Sequence, residues 1–403
     1  MLVVTGGIYR ELCTRPRWEE YFGSAGRAAA AIATLGGEVE LISYADNAAR
    51  MAVATRMHYL GERAHFSPRD VVDVPGFHYT HGLQTPTIHW PNASYAPIRI
   101  GASKVLTFGM LTGDAIVNCE YAVYDPQNVG DPRPFASNGS SAKHLALVLN
   151  RYEARAMLGK SEDSMEALAI ALSQKESAEV VVIKQGPMGA LVYEDGKFSR
   201  VPAYRTKRVW KIGSGDQFAA NFAYAWMEEG RSASEAADRA SRAAALYCES
   251  RTFPNIVDID KAHLEPIRIG RYAEGFRATV YLAGPFFTLG QLWVIEQAKT
   301  ALENTGLKVI SPYHDVGHGC ADDVVDLDLK YLRECDLVLA VGDGMDAGTI
   351  FEIGYARALG KPVIFYAENE VGEDRKMMEG SHCQMTDDFV SAIYWTVWEA
   401  VAL

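Results

Sequence analysis

Two carboxylates, Asp346 and Glu352, flank a glycine turn in the run Asp343-Gly-Met-Asp-Ala-Gly-Thr-Ile-Phe-Glu352. A carboxylate so placed can attack or protonate a bound molecule. The run follows an apolar stretch, Leu337-Val-Leu-Ala-Val341, that reads as a strand, and it opens a helix expected to end near Gly360. Ligands of open parallel sheets bind at such carboxyl ends. A third acid, Asp328, falls at i+3 from Val325 and i−4 from Leu332, on the side of an apolar stripe Val325, Leu329, Leu332. Carboxylates are seldom buried without a partner or a task. Each acid also has a plainer reading. Thr349-x-x-Glu352 matches a capping box with Thr349 as N-cap, and Asp328 can face water as its neighbours Asp322, Asp323 and Asp326 do. If the three acids converge, they suit glycoside chemistry, in which one ionised carboxylate meets an oxocarbenium-like carbon and a second group manages the leaving-group proton. Tyr281, on an earlier apolar strand, can donate a hydrogen bond to the attacking carboxylate or be ordinary core.

The elements that must position these groups are legible from Thr279 onward. Strands are expected at Thr279-Val-Tyr-Leu-Ala283, Lys308-Val-Ile-Ser311, Leu337 to Val341 and Val363-Ile-Phe-Tyr366. Helices are expected at about 289–304, 322–334, 347–360 and 387–401. Short apolar strands alternating with amphipathic helices predict an α/β unit with a parallel, doubly wound sheet. Right-handed crossovers bring the strand ends to one rim. That rim carries Gly284 to Phe287, Pro312 to His314 and Asp343 to Asp346, with Gly348 just beyond. His314 and His318 are spaced i, i+4, as metal ligands on a helix can be, but Gly317 and Gly319 argue for a loop in reach of a bound base. No residue is assigned as a direct metal ligand.

The first 250 or so residues alternate less cleanly. Strands are expected at Leu2 to Thr5, Glu38 to Ser43, Tyr121 to Tyr124, Leu145 to Leu149 and Val180 to Ile183, and helices at Gly26 to Gly36, Ser164 to Gln174 and Ala233 to Ser250, with a turn at Glu153 to Gly159. The polar, aromatic stretch His78 to Pro91 reads as a small accessory sheet or a lid. At 403 residues the chain exceeds what one core usually supports. The segment Arg251 to Arg277, with two prolines and weak periodicity, holds the expected boundary: domains at 1–255 and 278–403 joined by a linker at 256–277.

A net charge of −12 without a long basic run argues against a nucleic-acid partner. Six widely spaced cysteines with no Cys-x-x-Cys pair suit reduced thiols. No apolar run approaches the roughly 18 residues of a membrane span, and the N-terminus lacks a charged n-region. A soluble, cytoplasmic protein is expected.

Three motifs, Tyr281-Leu-Ala-Gly-Pro-Phe-Phe287, Asp328-Leu-Lys-Tyr-Leu-Arg-Glu-Cys-Asp336 and Asp346-Ala-Gly-Thr-Ile-Phe-Glu352-Ile-Gly-Tyr-Ala356, in this order, resemble the nucleoside 2-deoxyribosyltransferase family over about residues 278 to 400. The resemblance implies a flavodoxin-like sheet and no cofactor. It implies Glu352 as the nucleophile for the deoxyribosyl C1′, Tyr281 orienting it, Asp328 contacting the base and assisting its departure, and Asp346 holding the 5′-hydroxyl. Gly284, Phe286, Phe287, His314 and Gly348 would line the substrate. Related nucleoside 5′-monophosphate hydrolases carry small hydroxyl residues where Asp346 stands; a carboxylate facing a phosphate dianion is repulsive, so a free nucleoside is favoured. Members complete the pocket from a neighbouring subunit, which implies a homo-oligomer, with Met385 to Asp388 as the candidate contributor.

In the first domain, the run Gly23 to Gly36, Asp125-Pro126, Asn150-Arg-Tyr-Glu153, Lys184-Gln-Gly-Pro-Met-Gly189 and Gly213-Ser-Gly-Asp216 resembles the ribokinase-like (pfkB-type) sugar and nucleoside kinases. The resemblance implies Asp216 as catalytic base, Gly213, Ser214 and Gly215 as an anion hole, and Asn150 and Glu153 organising Mg²⁺ beside ATP. Independently, glycine-opened amides at a helix N-terminus attract anions. Departures are specific: Trp210-Lys-Ile212 replaces the acidic and hydroxyl start of the usual motif, Glu11 is the nearest counterpart of the sugar-binding Asp, and the glycine pair before the first helix is broken up as Gly23-Ser-Ala-Gly-Arg27. The expectation is a bifunctional enzyme of nucleoside metabolism, acting on small nucleosides or pentoses. Its C-terminal part would cleave an N-glycosidic bond, passing the sugar to a base or water, and its N-terminal part would be an ATP-dependent kinase or a retired one. The alternatives are a ligand sensor built on an inactive kinase fold and a nucleoside 5′-monophosphate N-glycosidase.

Overall fold

The computed structural model describes residues 1–403 apart from Asn92, Val129, residues 160–163 and His318, and describes residues 321–323 by their backbone alone. The chain divides into two compact units, Met1–Thr206 with Trp210–Pro266, and Lys207–Val209 with Ile267–Leu403. The segment 256–277 is not featureless. It carries a helix, Ile256–Lys261, started by a reciprocal cap between Asn255 and Asp258, and a 3-10 turn at Arg271–Glu274. Among the described residues no helix is long and apolar enough to cross a membrane.

In the C-terminal unit five parallel strands lie in the order Lys308–Ile310, Thr279–Ala283, Leu337–Val341, Val363–Tyr366, Gln384–Thr386. By chain order this is 2-1-3-4-5, the doubly wound, flavodoxin-like arrangement expected from the sequence. The strand Leu337–Val341 is buried at every position, as a central parallel strand covered on both faces must be. Burying each of its Leu and Val side chains is worth about 1.5–3 kcal/mol before entropy is counted. The helix Phe389–Ala402 covers one face with Val390, Ile393, Val397 and Val401, all buried.

The strand order reverses between the first and third strands, the strands themselves staying parallel. In such sheets the ligand crevice opens at that reversal. Thr279–Ala283 delivers Tyr281 and leads to Gly284–Phe287; Leu337–Val341 leads to Asp343–Asp346 and the helix Ala347–Ala358. Gly284 lets these two strand ends approach. A Cβ there would lie 2.8 Å from Ile295 Cδ1 and 2.9 Å from Val341 Cβ.

The N-terminal unit is also an α/β unit. Among the described residues its sheet has nine strands, in the order Lys197–Val201, Ala190–Glu194, Val180–Lys184, Ser141–Asn150, Ala115–Asp125, Ile98–Phe108, Leu2–Thr5, Val39–Ala45, Ala64–Asp70. The strands from Val180–Lys184 to Ala64–Asp70 run parallel, and the hairpin 190–201 closes one edge antiparallel. The stretch His78 to Pro91 is part of a four-stranded accessory sheet, Trp18–Tyr21, Arg10–Arg15, Gly76–His81, Thr87–His89. The expected turn at Glu153 to Gly159 is instead the end of a helix, Arg151–Leu158. The alanine-rich helix Gly23–Thr34 is buried at almost every position and shares a core with the helices Ser214–Ala223 and Ala233–Ser250. Small side chains on the first helix permit that enclosure.

Gly284→Ala should overpack the junction and cost about 1–3 kcal/mol. The check is the urea midpoint of the C-terminal transition, which should fall at unchanged slope; an unaltered midpoint would show that the strand ends can part freely.

Candidate functional site

Glu352 sits in the second turn of the helix Ala347–Ala358, where two roles were open to it. The capping box does not form. The N-cap is Asp346, whose Oδ2 accepts from the Thr349 amide at 2.8 Å and from Thr349 Oγ1 at 3.1 Å. Thr349 is therefore inside the helix, and Glu352 is released from capping. Its Oε1 accepts a 2.6 Å hydrogen bond from Tyr281 Oη, across 71 residues of sequence and between the two strands' ends. Oε2 takes no hydrogen bond from a described residue.

Burial pushes the Glu352 carboxyl up to about 7; the Tyr281 hydrogen bond works against this, while the charges of Asp328 and Asp346 add to the rise. Both other acids therefore lie within electrostatic reach of Glu352. Asp328 projects from the helix Ala321–Glu334. Its Oδ1 is buried with no hydrogen-bond partner, and burial raises its pKa. The stripe that placed it needs one correction. Leu332 is fully buried and Leu329 packs on the core, but Val325 is 44% exposed. Asp328 thus lies at the edge of the buried face rather than within it. Tyr281 is fully buried, and its phenol is held far on the neutral side by burial and by Glu352, so it is a donor at any ordinary pH.

Phe286 is half-buried, with ring centroids 5.2 Å from Phe287 and 5.4 Å from Tyr313, whereas Phe287 is 72% exposed. Phe287 is not a packed strand end. His314 was expected in a loop; it lies in a π-helical turn, Pro312–Val316, with Nε2 2.9 Å from Glu296 Oε1. His318 lies outside the described residues. Gly348 is exposed in the first turn of the helix that bears Glu352. The loop between the third strand and that helix is pinned from outside: Asp343 accepts from the Glu368 and Asn369 amides, and Glu370 from the Gly344 amide. Within it Met345 adopts a left-handed φ of 45°, uncommon for a side chain of its size. These outer contacts were not legible in the sequence.

In the N-terminal unit the helix expected to begin at Gln217 begins at Ser214, so Asp216 lies in its first turn and is buried. Gly213 precedes it with φ 81°. Both oxygens of Asp216 are occupied. Oδ2 accepts from Arg27 Nη1 at 3.0 Å, and Oδ1 accepts from Gln127 Nε2 at 2.9 Å. Arg27 Nη2 donates to Glu11 Oε2 at 2.5 Å. Gln127 also donates to Asp125 Oδ2, which takes Lys184 Nζ as well. Burial moves the Asp125 carboxyl up to about 7 in spite of Lys184. Asn150 and Glu153 form a reciprocal capping box on the helix Arg151–Leu158, the Glu153 amide donating to Asn150 Oδ1 and the Asn150 amide to Glu153 Oε2. The side-chain atoms expected to organise Mg²⁺ are thus spent on the cap, save one oxygen of Glu153. Among the described residues no cluster of three His, Cys, Asp or Glu suited to a metal is present. Sequence reasoning missed Arg27 and Gln127 as parts of this cluster. The signal was a single Arg inside an otherwise apolar Ala/Gly helix.

Residues 280–383 match the family model described as nucleoside 2-deoxyribosyltransferase, and residues 136–255 match that of the pfkB family carbohydrate kinases. The C-terminal unit resembles the deoxyribosyltransferases, the N-terminal unit the pfkB kinases. Among solved structures the chain is similar to a nucleoside kinase of Burkholderia thailandensis in complex with inosine, at 20% identity over 64% of this chain and 96% of that one (TM-score 0.48). It is similar to a nucleoside kinase of Methanocaldococcus jannaschii at 14% identity, over 64% and 97% (TM-score 0.49). It is similar to a ribokinase of Thermotoga maritima at 15%, over 64% and 98% (TM-score 0.46). No curated protein matches the chain. The match 280–383 spans Tyr281, Asp328, Asp346 and Glu352; the match 136–255 spans Asn150, Glu153 and Asp216 but not Arg27 or Glu11.

The raised pKa of Glu352 has a measurable sign. A carboxyl whose folded pKa lies above its ordinary 4.5 is favoured in its protonated form by the fold. Its contribution to stability is complete below about 4.5 and is lost as pH rises through about 7. Wild type should therefore lose stability relative to Glu352→Gln between about pH 5 and about pH 8. Denaturant melts of both proteins across that range check this; parallel curves would place Glu352 in water.

Proposed function

We propose that the C-terminal unit cleaves the N-glycosidic bond of 2′-deoxynucleosides through a covalent glycosyl intermediate on Glu352. The observation that carries this reading is the 2.6 Å hydrogen bond from Tyr281 to Glu352 Oε1 beside the sheet's switch point, which holds one oxygen and leaves Oε2 without a hydrogen bond from a described residue. Oε2 attacks C1′, forming an ester-like C1′–O bond as the C1′–N bond breaks. The electron pair of that bond departs with the base. Asp328, biased by burial toward its protonated form, supplies the proton the base needs. Water, or the nitrogen of a second base, then attacks C1′ as the C1′–O bond to Glu352 breaks, the electron pair returning to the carboxylate and the proton of the attacking group passing to the ionised Asp328.

Asp346 caps its helix through Oδ2 and keeps Oδ1 for the 5′-hydroxyl of the sugar. A 5′-phosphate at that place would meet a carboxylate, so an unphosphorylated nucleoside is the better fit. Phe286 and the exposed Phe287 offer ring faces to a base. His314 stands beside them, oriented by Glu296. A homo-oligomer in which the stretch Met385 to Asp388 reaches a neighbour's pocket belongs to the same reading, as does a cytoplasmic location.

The N-terminal unit's family match and its likeness to nucleoside kinases support recognition of a nucleoside or pentose by that unit. ATP-dependent phosphorylation is not proposed, because Asp216 is bound on both oxygens.

Glu352→Ala should lower release of base from deoxynucleosides by roughly 10³-fold or more, and Asp328→Asn by roughly 10²-fold. Mass spectrometry of wild type quenched in turnover should show a deoxyribosyl adduct on the peptide bearing Glu352. The acid limb of kcat/KM should lie near 7, where Glu352 ionises. Full base release by Glu352→Ala would rule the mechanism out.

A further inference from the structure

Arg27 is buried in the N-terminal unit, 1% exposed, and two carboxylates hold its guanidinium. One guanidinium nitrogen donates to Asp216, the other to Glu11, and Glu11 Oε2 is held in turn by the Gly23 amide at 3.0 Å. The guanidinium carbon is 5.8 Å from the ring centroids of Trp18 and Phe22. Its stem lies over Gly213: a Cβ on that glycine would come within 2.4 Å of Arg27 Cδ and Nε and 2.7 Å of Tyr247 Oη. The other oxygen of Asp216 is closed by Gln127, whose own Oε1 accepts from Ser24 Oγ at 2.6 Å. A carboxylate that takes a proton from an acceptor hydroxyl must present a free lone pair to that hydroxyl within hydrogen-bond reach. Here Arg27 engages one oxygen of Asp216 and Gln127 the other.

We propose that Arg27 is a built-in plug of the acceptor site: it replaces the substrate hydroxyl at Asp216, converts the Glu11, Arg27 and Asp216 cluster into a structural ion bridge, and leaves the N-terminal unit unable to transfer phosphate. The inference rests on the resemblance that assigns Asp216 the part of a base, and it is independent of the chemistry proposed for Glu352. Removing one member of such a buried pair strands the other's charge, whereas a catalytic acid freed from an unfavourable site commonly leaves the fold as stable or more so.

Those two roles predict opposite outcomes in the full-length protein. ADP formation is measured with Mg-ATP and a panel of ribonucleosides, deoxynucleosides and free pentoses, for wild type, Arg27→Met, Asp216→Asn and the double variant, and thermal unfolding is followed in the same four proteins. The expected result is acceptor-dependent turnover by wild type equal, within about twofold, to that of Asp216→Asn. Both single variants should melt roughly 5 °C or more below wild type, and the double variant should lose clearly less than the sum of the two. Acceptor-dependent ATP turnover that falls roughly tenfold or more in Asp216→Asn overturns the proposal. So does an Asp216→Asn protein that melts as high as wild type, whatever the panel shows. Should Arg27→Met fail to fold, the isosteric Asp216→Asn still decides on both readouts. Base release from deoxynucleosides, assayed separately, tests the other unit and moves neither result.

Discussion

The hydrogen bond between Tyr281 and Glu352 is the constraint from which the C-terminal unit's chemistry follows. Burying a carboxylate disfavours its charged form, and no cation among the described residues offsets that for Glu352. A single neutral donor does the work, leaving the group poised near neutrality instead of pinned as an anion or lost as an acid. Such a donor is useful only if its direction is fixed. Tyr281 comes from the middle of a fully covered strand, Glu352 from the second turn of a helix capped one turn earlier by Asp346, and neither element can rotate without opening the sheet. Gly284, which allows the strand ends to close up, and the Asp343 contacts, which hold the loop between strand and helix, serve the same geometry from either side.

The chain contains an instructive contrast. Asp216 and Glu352 are both acids near the start of a helix that follows a glycine turn, and both are largely withdrawn from water. Glu352 keeps one oxygen unclaimed. Asp216 has both oxygens engaged, one by a guanidinium and one by an amide. A buried carboxylate with a neutral donor and an open lone pair retains the capacity to react; one with a bidentate set of protein partners has exchanged reactivity for structure. The same burial therefore supports opposite conclusions, and the partner list decides between them.

How far the sequence could be read tracks the range of the interactions involved. Most of the C-terminal architecture was legible because its central strands are short apolar runs between amphipathic helices; the short edge strand Gln384–Thr386 and the helix Gly372–Gly380, which has no side-chain cap, were not read. The strand Ile98–Phe108 escaped notice, and Ala115–Asp125 was read only at Tyr121 to Tyr124, for the opposite reason: their first halves alternate with Arg99, Lys104, Asn118 and Glu120, and only their last four residues are buried throughout. The Thr349-x-x-Glu352 spacing is a true cap signal read one residue class too narrowly. Asp346 is an equally good cap three positions before Thr349, and once it takes that place Glu352 is free. Asn150 and Glu153 show the converse, a pair singled out by family resemblance that the backbone uses for its own helix start. The Arg27 to Asp216 bridge spans 189 positions, and no local pattern encodes it. What local pattern does show is an anomaly, one Arg amid Ala28 to Ala31, where only a distant anion could make burial tolerable.

That anomaly bears on why the bridge persists. A buried cation held by two carboxylates is weak evidence of stability, since apolar residues of similar volume often do as well. The cost of breaking it, however, falls on whichever charge is left behind, so no single substitution can remove Arg27 without exposing Glu11 and Asp216 to each other across a dry space. Burial already works against Glu11, whose carboxyl is raised in spite of Arg27, and the Asp216 charge pushes it the same way. The three groups are thus electrostatically linked: the guanidinium between the two acids cannot be withdrawn alone without leaving their charges unpaired.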